Sequence, residues 1–195
     1  MKTKVNLKKE NYVPIAVICF ARPRHLKDMI HALLENPEAN NSEIFFFIDK
    51  TDDFRNENLN KEVLKICSQK WDFKKTHIIT NTINKGLKNQ IIDSATFMAM
   101  KYPAFILLED DVMVSKNFLE YMNLSLNKYK NSNVFHINGF NYNNSINKPS
   151  KAYVSTLMFS WGWATWSDKW LEFVNTPNFD SNKIAKASKK QINRF

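Results

Sequence analysis

Ala104-Phe-Ile-Leu-Leu-Glu-Asp-Asp111 is a continuous apolar run that ends, without a break, in three carboxylates. A short apolar run bounded by polar residues is expected to form a strand buried on both faces, as strands of parallel sheets are. Glu109, Asp110 and Asp111 repel one another at its end. They are most easily tolerated where a cation or hydrogen-bond donors offset the charge. Hard divalent ions such as Mn2+ and Mg2+ prefer oxygen ligands, commonly a few carboxylates with substrate phosphates. The plainer alternative is a solvated acidic turn.

Upstream, the same kind of strand recurs at Ile15–Phe20, at Ile44–Ile48 ending on Asp49, and at His77–Thr80. Between these runs the apolar residues fall at helical spacing: Leu26, Met29, Ile30, Leu33 and Leu34; then Leu59, Val63 and Ile66; then Leu87, Ile91, Ala95 and Met98. Downstream, Ser115 is placed to cap a helix carrying Phe118, Leu119, Met122 and Leu126, and Val134–Ile137 reads as a further strand. Alternation of this kind predicts an α/β fold, a mainly parallel sheet with helices on both faces. Ligands of such sheets bind at the carboxyl ends of the strands. Arg22, Asp49, Asn81 to Gly86 and Glu109 to Asp111 stand at those ends.

Asp49 there can hydrogen-bond a base or a ribose, or simply terminate a strand. Arg22 can contact a phosphate or a uracil, or solvate a loop; phosphate recognition favours arginine. Four tryptophans, Trp161, Trp163, Trp166 and Trp170, form the second signal. Trp163, Trp166 and Trp170 are spaced like one helical face and are expected to pack in a core. Gly162, between two indoles, suggests close backbone approach. Sugar rings stack on flat aromatic faces, which makes a saccharide a reasonable guest beside Trp161 and Gly162.

Other features exclude. The chain has 195 residues and only three glycines, Gly86, Gly139 and Gly162. Neither a GxGxxG dinucleotide loop nor a P-loop can be written from them. His25, His31, His77 and His136 show no metal-ligand spacing, nor do Cys19 and Cys67, which are expected to be reduced core thiols. No stretch is long enough to span a membrane, and Arg22-Pro23-Arg24 stands where a signal-peptide cleavage site should be. A cytoplasmic protein is expected, with peripheral contact at an inner membrane as an option. The net charge of +9 and the pI near 9.4 would suit nucleic acid, anionic lipid or anionic substrates. Organisation is expected as a basic extension at 1–12, an α/β region at 13–140, a Trp-rich region at 141–180 and a basic polar tail at 181–195.

Taken together, Pro14-Ile-Ala-Val-Ile-Cys-Phe-Ala-Arg-Pro23, Asn84-Lys-Gly-Leu87, Leu107-Leu-Glu-Asp-Asp-Val112, Asn117-Phe-Leu-Glu-Tyr121 and Ser160-Trp-Gly-Trp-Ala-Thr-Trp166 form an ordered set. Over roughly residues 13–172 they resemble bacterial sugar transferases similar to eukaryotic N-acetylglucosaminyltransferase I. The resemblance implies a GT-A fold, a nucleotide-sugar donor (a UDP-sugar favoured), Mn2+ or Mg2+, and a glycan or lipid-linked acceptor in surface polysaccharide synthesis, without nucleic acid. It implies Asp111 as the metal ligand and Arg22, Asp49, Glu109 and Asp110 as donor-binding residues. Trp161, Gly162 and Trp163 would lie by the sugar or acceptor pocket. Such enzymes invert the anomeric centre with a carboxylate base on an acidic, Trp-containing segment well after the Trp-Gly-Trp stretch. No such segment occurs before Phe195, so the catalytic base is left unassigned. Three alternatives stay open: a C-terminally truncated enzyme, a site completed by a partner, or a module that binds nucleotide sugar without turnover. A basic α/β protein binding nucleic acid or anionic lipid is the rival from another class.

Overall fold

The structure, a computed structural model, describes residues 12–141, 152 and 154–176. The expected basic extension (but for residue 12), parts of the expected Trp-rich region at 141–180 and the polar tail lie outside those residues. The elements are β1 (Ile15–Cys19), α1 (Pro23–Leu34), β2 (Glu43–Ile48), α2 (Glu57–Cys67), β3 (Lys75–Thr80), α3 (Gly86–Lys101), β4 (Ala104–Glu109), α4 (Phe118–Tyr129), β5 (His136–Asn138), β6 (Trp163–Trp166) and α5 (Ser167–Asn175). They build one six-stranded sheet in the order β3-β2-β1-β4-β6-β5. The first four strands of that order are parallel, and β6 runs antiparallel to both of its neighbours.

Alternation along each strand sorts side chains to the two faces. Ile15, Val17, Cys19, Ile44, Phe46, Ile106 and Leu108 pack with the apolar stripes of α1, α2 and α4. Ala16, Ile18, Phe45, Phe47, Phe105 and Leu107 pack with α3 and α5. The continuous apolar runs are therefore central strands covered on both faces. Each fully buried Ile, Leu or Phe contributes on the order of 1.5–3 kcal/mol.

Two expectations fail here. Trp163 and Trp166 do not share a helical face with Trp170, because Trp163–Trp166 is the strand β6. Its alternation sends Trp166 to the first core and Trp163 to the second, where it meets Trp170 of α5. Ser115 does not cap α4 with its side chain. Its carbonyl accepts the Phe118 N–H in a turn, and the Leu119 N–H is taken instead by Asn36 Oδ1 at the end of α1. Asn36 is buried, and it also donates to the Ala32 carbonyl.

Gly139 and Gly162 mark a close backbone approach. The Gly139 N–H donates to the Gly162 carbonyl at 2.7 Å, and the Phe118 ring lies beneath both. A Cβ at Gly139 would fall 2.5 Å from Phe118 Cε2 and 2.8 Å from the Gly162 carbonyl oxygen. Gly162 adopts φ +75°, and a Cβ there would meet Leu108 at 3.0 Å. Gly139→Ala is expected to cost about 1–3 kcal/mol by overpacking, read as a lower urea midpoint with an unchanged denaturant slope. An unchanged midpoint would mean that Phe118 can move aside freely.

Candidate functional site

The carboxyl ends of β1, β2, β3 and β4 share one edge of the sheet. Because β6 is antiparallel to β4, with Leu107 opposite Trp163, the start of β6 lies at that edge too. Arg22, Asp49, the Asn81–Gly86 turn, the acidic triplet and Trp161-Gly162 are thus brought to one side of the molecule by topology alone.

The three carboxylates do different things. Glu109 is the last residue of β4 and is partly buried. Asp110 is fully buried. Its N–H continues the β1–β4 ladder onto the Ile18 carbonyl, and its Oδ2 accepts the Phe20 N–H at 3.1 Å. Asp111 stands at the surface. One guanidinium spans the last two: Arg22 Nη2 is 2.5 Å from Asp110 Oδ1, and Nη1 contacts Asp111 Oδ2. The contact with Asp110 Oδ1 is one of charge and lacks the alignment of a hydrogen bond. Burial pushes the Glu109 and Asp110 carboxyls above the usual carboxylate range, and neighbouring Asp111 adds to this. The Phe20 N–H and Arg22 pull Asp110 back, and Arg22 does the same for Glu109. The charge of the triplet is therefore offset in part within the protein. Among the described residues no group of three or more His, Cys, Asp or Glu is placed to hold a metal. Of the three carboxylates, Asp111 is the exposed one.

Asp49, expected at the nucleotide, is 5% exposed and surrounded by donors. Its carboxylate accepts from the N–H groups of Lys50, Lys85 and Gly86 and from Asn81 Nδ2, at 2.9–3.1 Å. Lys85 and Gly86 open α3, whose N-cap residue supplies no side-chain acceptor. Asp49 performs that duty from the end of β2. Asn81 also donates to buried Gln90 on α3. In this structure the carboxylate anchors a helix, and it does not face open solvent.

Trp163, expected by the sugar or acceptor pocket, packs inside the protein. It is 3% exposed, with Phe105 at a ring-centroid distance of 6.0 Å and Trp170 at 5.6 Å. Trp161, by contrast, is half exposed, and Phe140 stands edge-on to it at 4.6 Å. Gly162 is buried against Leu108 and Phe118, which accounts for it without a ligand.

Other parts of the site carried no signal in the sequence. Phe20 acts through its main-chain N–H on Asp110. Asn60 on α2 donates to the carbonyls of Phe20 and Asp49 and ties the ends of β1 and β2 together. Asn138 donates to the Leu157 carbonyl and accepts the Phe159 N–H, holding the segment that leads to Trp161.

The basic charge lies elsewhere in the chain. Lys2, Lys4, Lys8, Lys9, Lys148, Lys151, Lys183, Lys186, Lys189, Lys190 and Arg194 fall outside the described residues, with only Glu10 and Asp180 against them. That difference equals the whole net charge of +9, so the described residues have no net formal charge. Among them no helix is long and apolar enough to cross a membrane.

No protein-family model matches the chain, and no curated protein matches it. Solved structures do. The mannosyltransferase PcManGT from Pyrobaculum calidifontis, in complex with GDP-Man and Mn2+, is similar over 84% of this chain and 46% of that one, with a TM-score of 0.57 and 12% identity. TarS 1-349 of S. aureus, in complex with UDP-GlcNAc, is similar over 62% of this chain and 32% of that one, with a TM-score of 0.45 and 11% identity. The TarS likeness is too low to carry an argument. The chain spans less than half the length of each. The fold is thus shared with a glycosyltransferase structure.

Proposed function

We propose that the chain is a glycosyltransferase, or the donor-binding part of one, that moves a sugar from a nucleotide sugar to an acceptor hydroxyl. One observation carries this: Arg22, buried Asp110 and surface Asp111 converge at the carboxyl ends of the strands, in a fold shared with a mannosyltransferase structure. A UDP-sugar remains the favoured donor, a bacterial glycan or lipid-linked acceptor the favoured partner, and inversion the favoured outcome.

The residues fit a divalent cation in one way. Asp111 is an exposed carboxylate, and one carboxylate with substrate phosphates and water is an ordinary Mg2+ or Mn2+ environment. A cation bound there supplies positive charge against the departing diphosphate. Asp110, held by Phe20 and Arg22, fixes the turn that presents Asp111. Arg22 has the donor geometry to take phosphate oxygens. The half-exposed indole of Trp161 offers a face to a sugar ring. No residue is assigned as base, so a nucleotide-sugar-binding module without turnover is the second reading.

Calorimetric titration with UDP and with GDP, each with and without Mn2+, tests the proposal. Binding is expected to tighten with the metal, by roughly 5–150-fold, and Asp111→Ala is expected to lose that gain. Binding that ignores Mn2+ and falls steeply with salt would instead favour phosphate contacts made by the basic segments.

A further inference from the structure

We propose that Arg22 is a latch that couples cation binding to diphosphate binding: its guanidinium closes Asp111 in the free protein and releases it as it takes up the donor's phosphates. The inference rests on the donor-site reading above and goes beyond it, because it assigns one side chain two successive partners.

The two arms of the guanidinium are unequal. Asp110 is fully buried, and Phe20 fixes it from the main chain. The hydrogen-bonded arm is the one on Asp111, but the arm on Asp110 faces a buried carboxylate whose Oδ1 has no other partner, and that charge keeps the arginine at the site. The arm on Asp111 joins two groups whose side chains are 40% and 39% exposed. Ion pairs this exposed are weak and exchange readily. Asp110 is thus the pivot and Asp111 the detachable end.

Chemistry then sets the order of events. A divalent cation at Asp111 alone would meet the guanidinium on the same carboxylate, and like charges there repel. A diphosphate alone would draw Arg22 away and leave the Asp111 carboxylate uncompensated beside the phosphates. With both present, Arg22 turns to phosphate, Asp111 turns to the cation, and every charge has an opposite neighbour. Coupling of this kind is reciprocal: nucleotide must raise metal affinity by the same factor as metal raises nucleotide affinity.

The test uses UDP, GDP and Mn2+ as probes, with calorimetry for nucleotide and electron paramagnetic resonance for free Mn2+. Wild-type protein is expected to bind Mn2+ alone and nucleotide alone weakly, and each tighter in the presence of the other by roughly 5–150-fold. Asp111→Asn frees Arg22, so nucleotide affinity without metal should rise a few-fold while the metal effect disappears. Arg22→Lys replaces the fork with a point charge that cannot span both carboxylates, so Mn2+ alone should bind tighter and the coupling should shrink. Circular dichroism checks that each variant is folded. Should Arg22→Lys fail to fold, Asp111→Asn decides. If wild type shows the coupling but metal-free nucleotide affinity stays flat or falls in Asp111→Asn, the latch is wrong and the donor site stands. If wild type binds neither nucleotide with Mn2+, both are overturned.

Discussion

Trp163→Ala is expected to lower stability by about 3–5 kcal/mol, the usual cost of truncating a buried aromatic to alanine. A domain of this size has only about 5–15 kcal/mol in total. The reason is its position. The indole lies on β6 between Phe105 of β4 and Trp170 of α5, and 3% of it is exposed. Removing it opens a cavity where a strand and a helix meet, and α5 loses part of its seat on the sheet. Far-ultraviolet circular dichroism through a urea titration measures the loss without depending on the missing fluorophore. Trp163→Phe should recover much of it. The same pair of variants separates a core residue from a sugar platform. If Trp163→Ala left the urea midpoint in place and weakened only sugar-nucleotide binding, the indole would belong to a pocket after all.

Asp49→Ala is the second large effect, expected at about 2–4 kcal/mol. Each buried donor left without a partner costs on the order of 1–3 kcal/mol, and water can satisfy some of them. The donors at risk are the N–H groups of Lys50 and Lys85, since the Gly86 N–H keeps Asn84 Oδ1 and the Asn81 amide keeps Gln90 Oε1. Amide hydrogen exchange should localise the damage to the first turn of α3. Asp49→Asn keeps one carbonyl oxygen and should lose less. A stable Asp49→Ala protein whose only deficit is nucleotide affinity would restore the role of base or ribose ligand that its strand-end position suggests.

Both predictions touch the boundary of what the sequence could tell. The apolar runs at Ile15, Ile44 and Ala104 lie in strands buried on both faces, and burial on two faces is legible because it forces an unbroken apolar run. The convergence of Arg22 and the acidic triplet at the sheet edge was legible for the same reason, since strand ends follow from strand positions. Trp163 misled because a spacing of three and four suits a helix, while β6 is a four-residue strand too short to show its own alternation. Its antiparallel insertion beside β4 is a long-range pairing that no local pattern encodes. Ser115 misled in a related way, and the helix-anchoring duty of Asp49 had no local signal. Caps are sought next to the helix they serve, yet α3 is capped from β2 and α4 from the end of α1. A side chain's partner across the fold cannot be read from its neighbours in sequence.

The placement of β6 also bears on how the protein is made. β1 through β4 are complete once residue 109 has been synthesised, but the open side of β4 is closed only by residues 163–166. At about 5–20 residues per second, a ribosome leaves that apolar edge without its partner for roughly 3–11 seconds. An uncovered, wholly apolar strand edge is a template for pairing with another chain. The growing polypeptide therefore passes through a window in which a chaperone that shields Ala104 to Leu108 would raise the yield of native protein, and in which slowed translation between residues 110 and 166 would lower it.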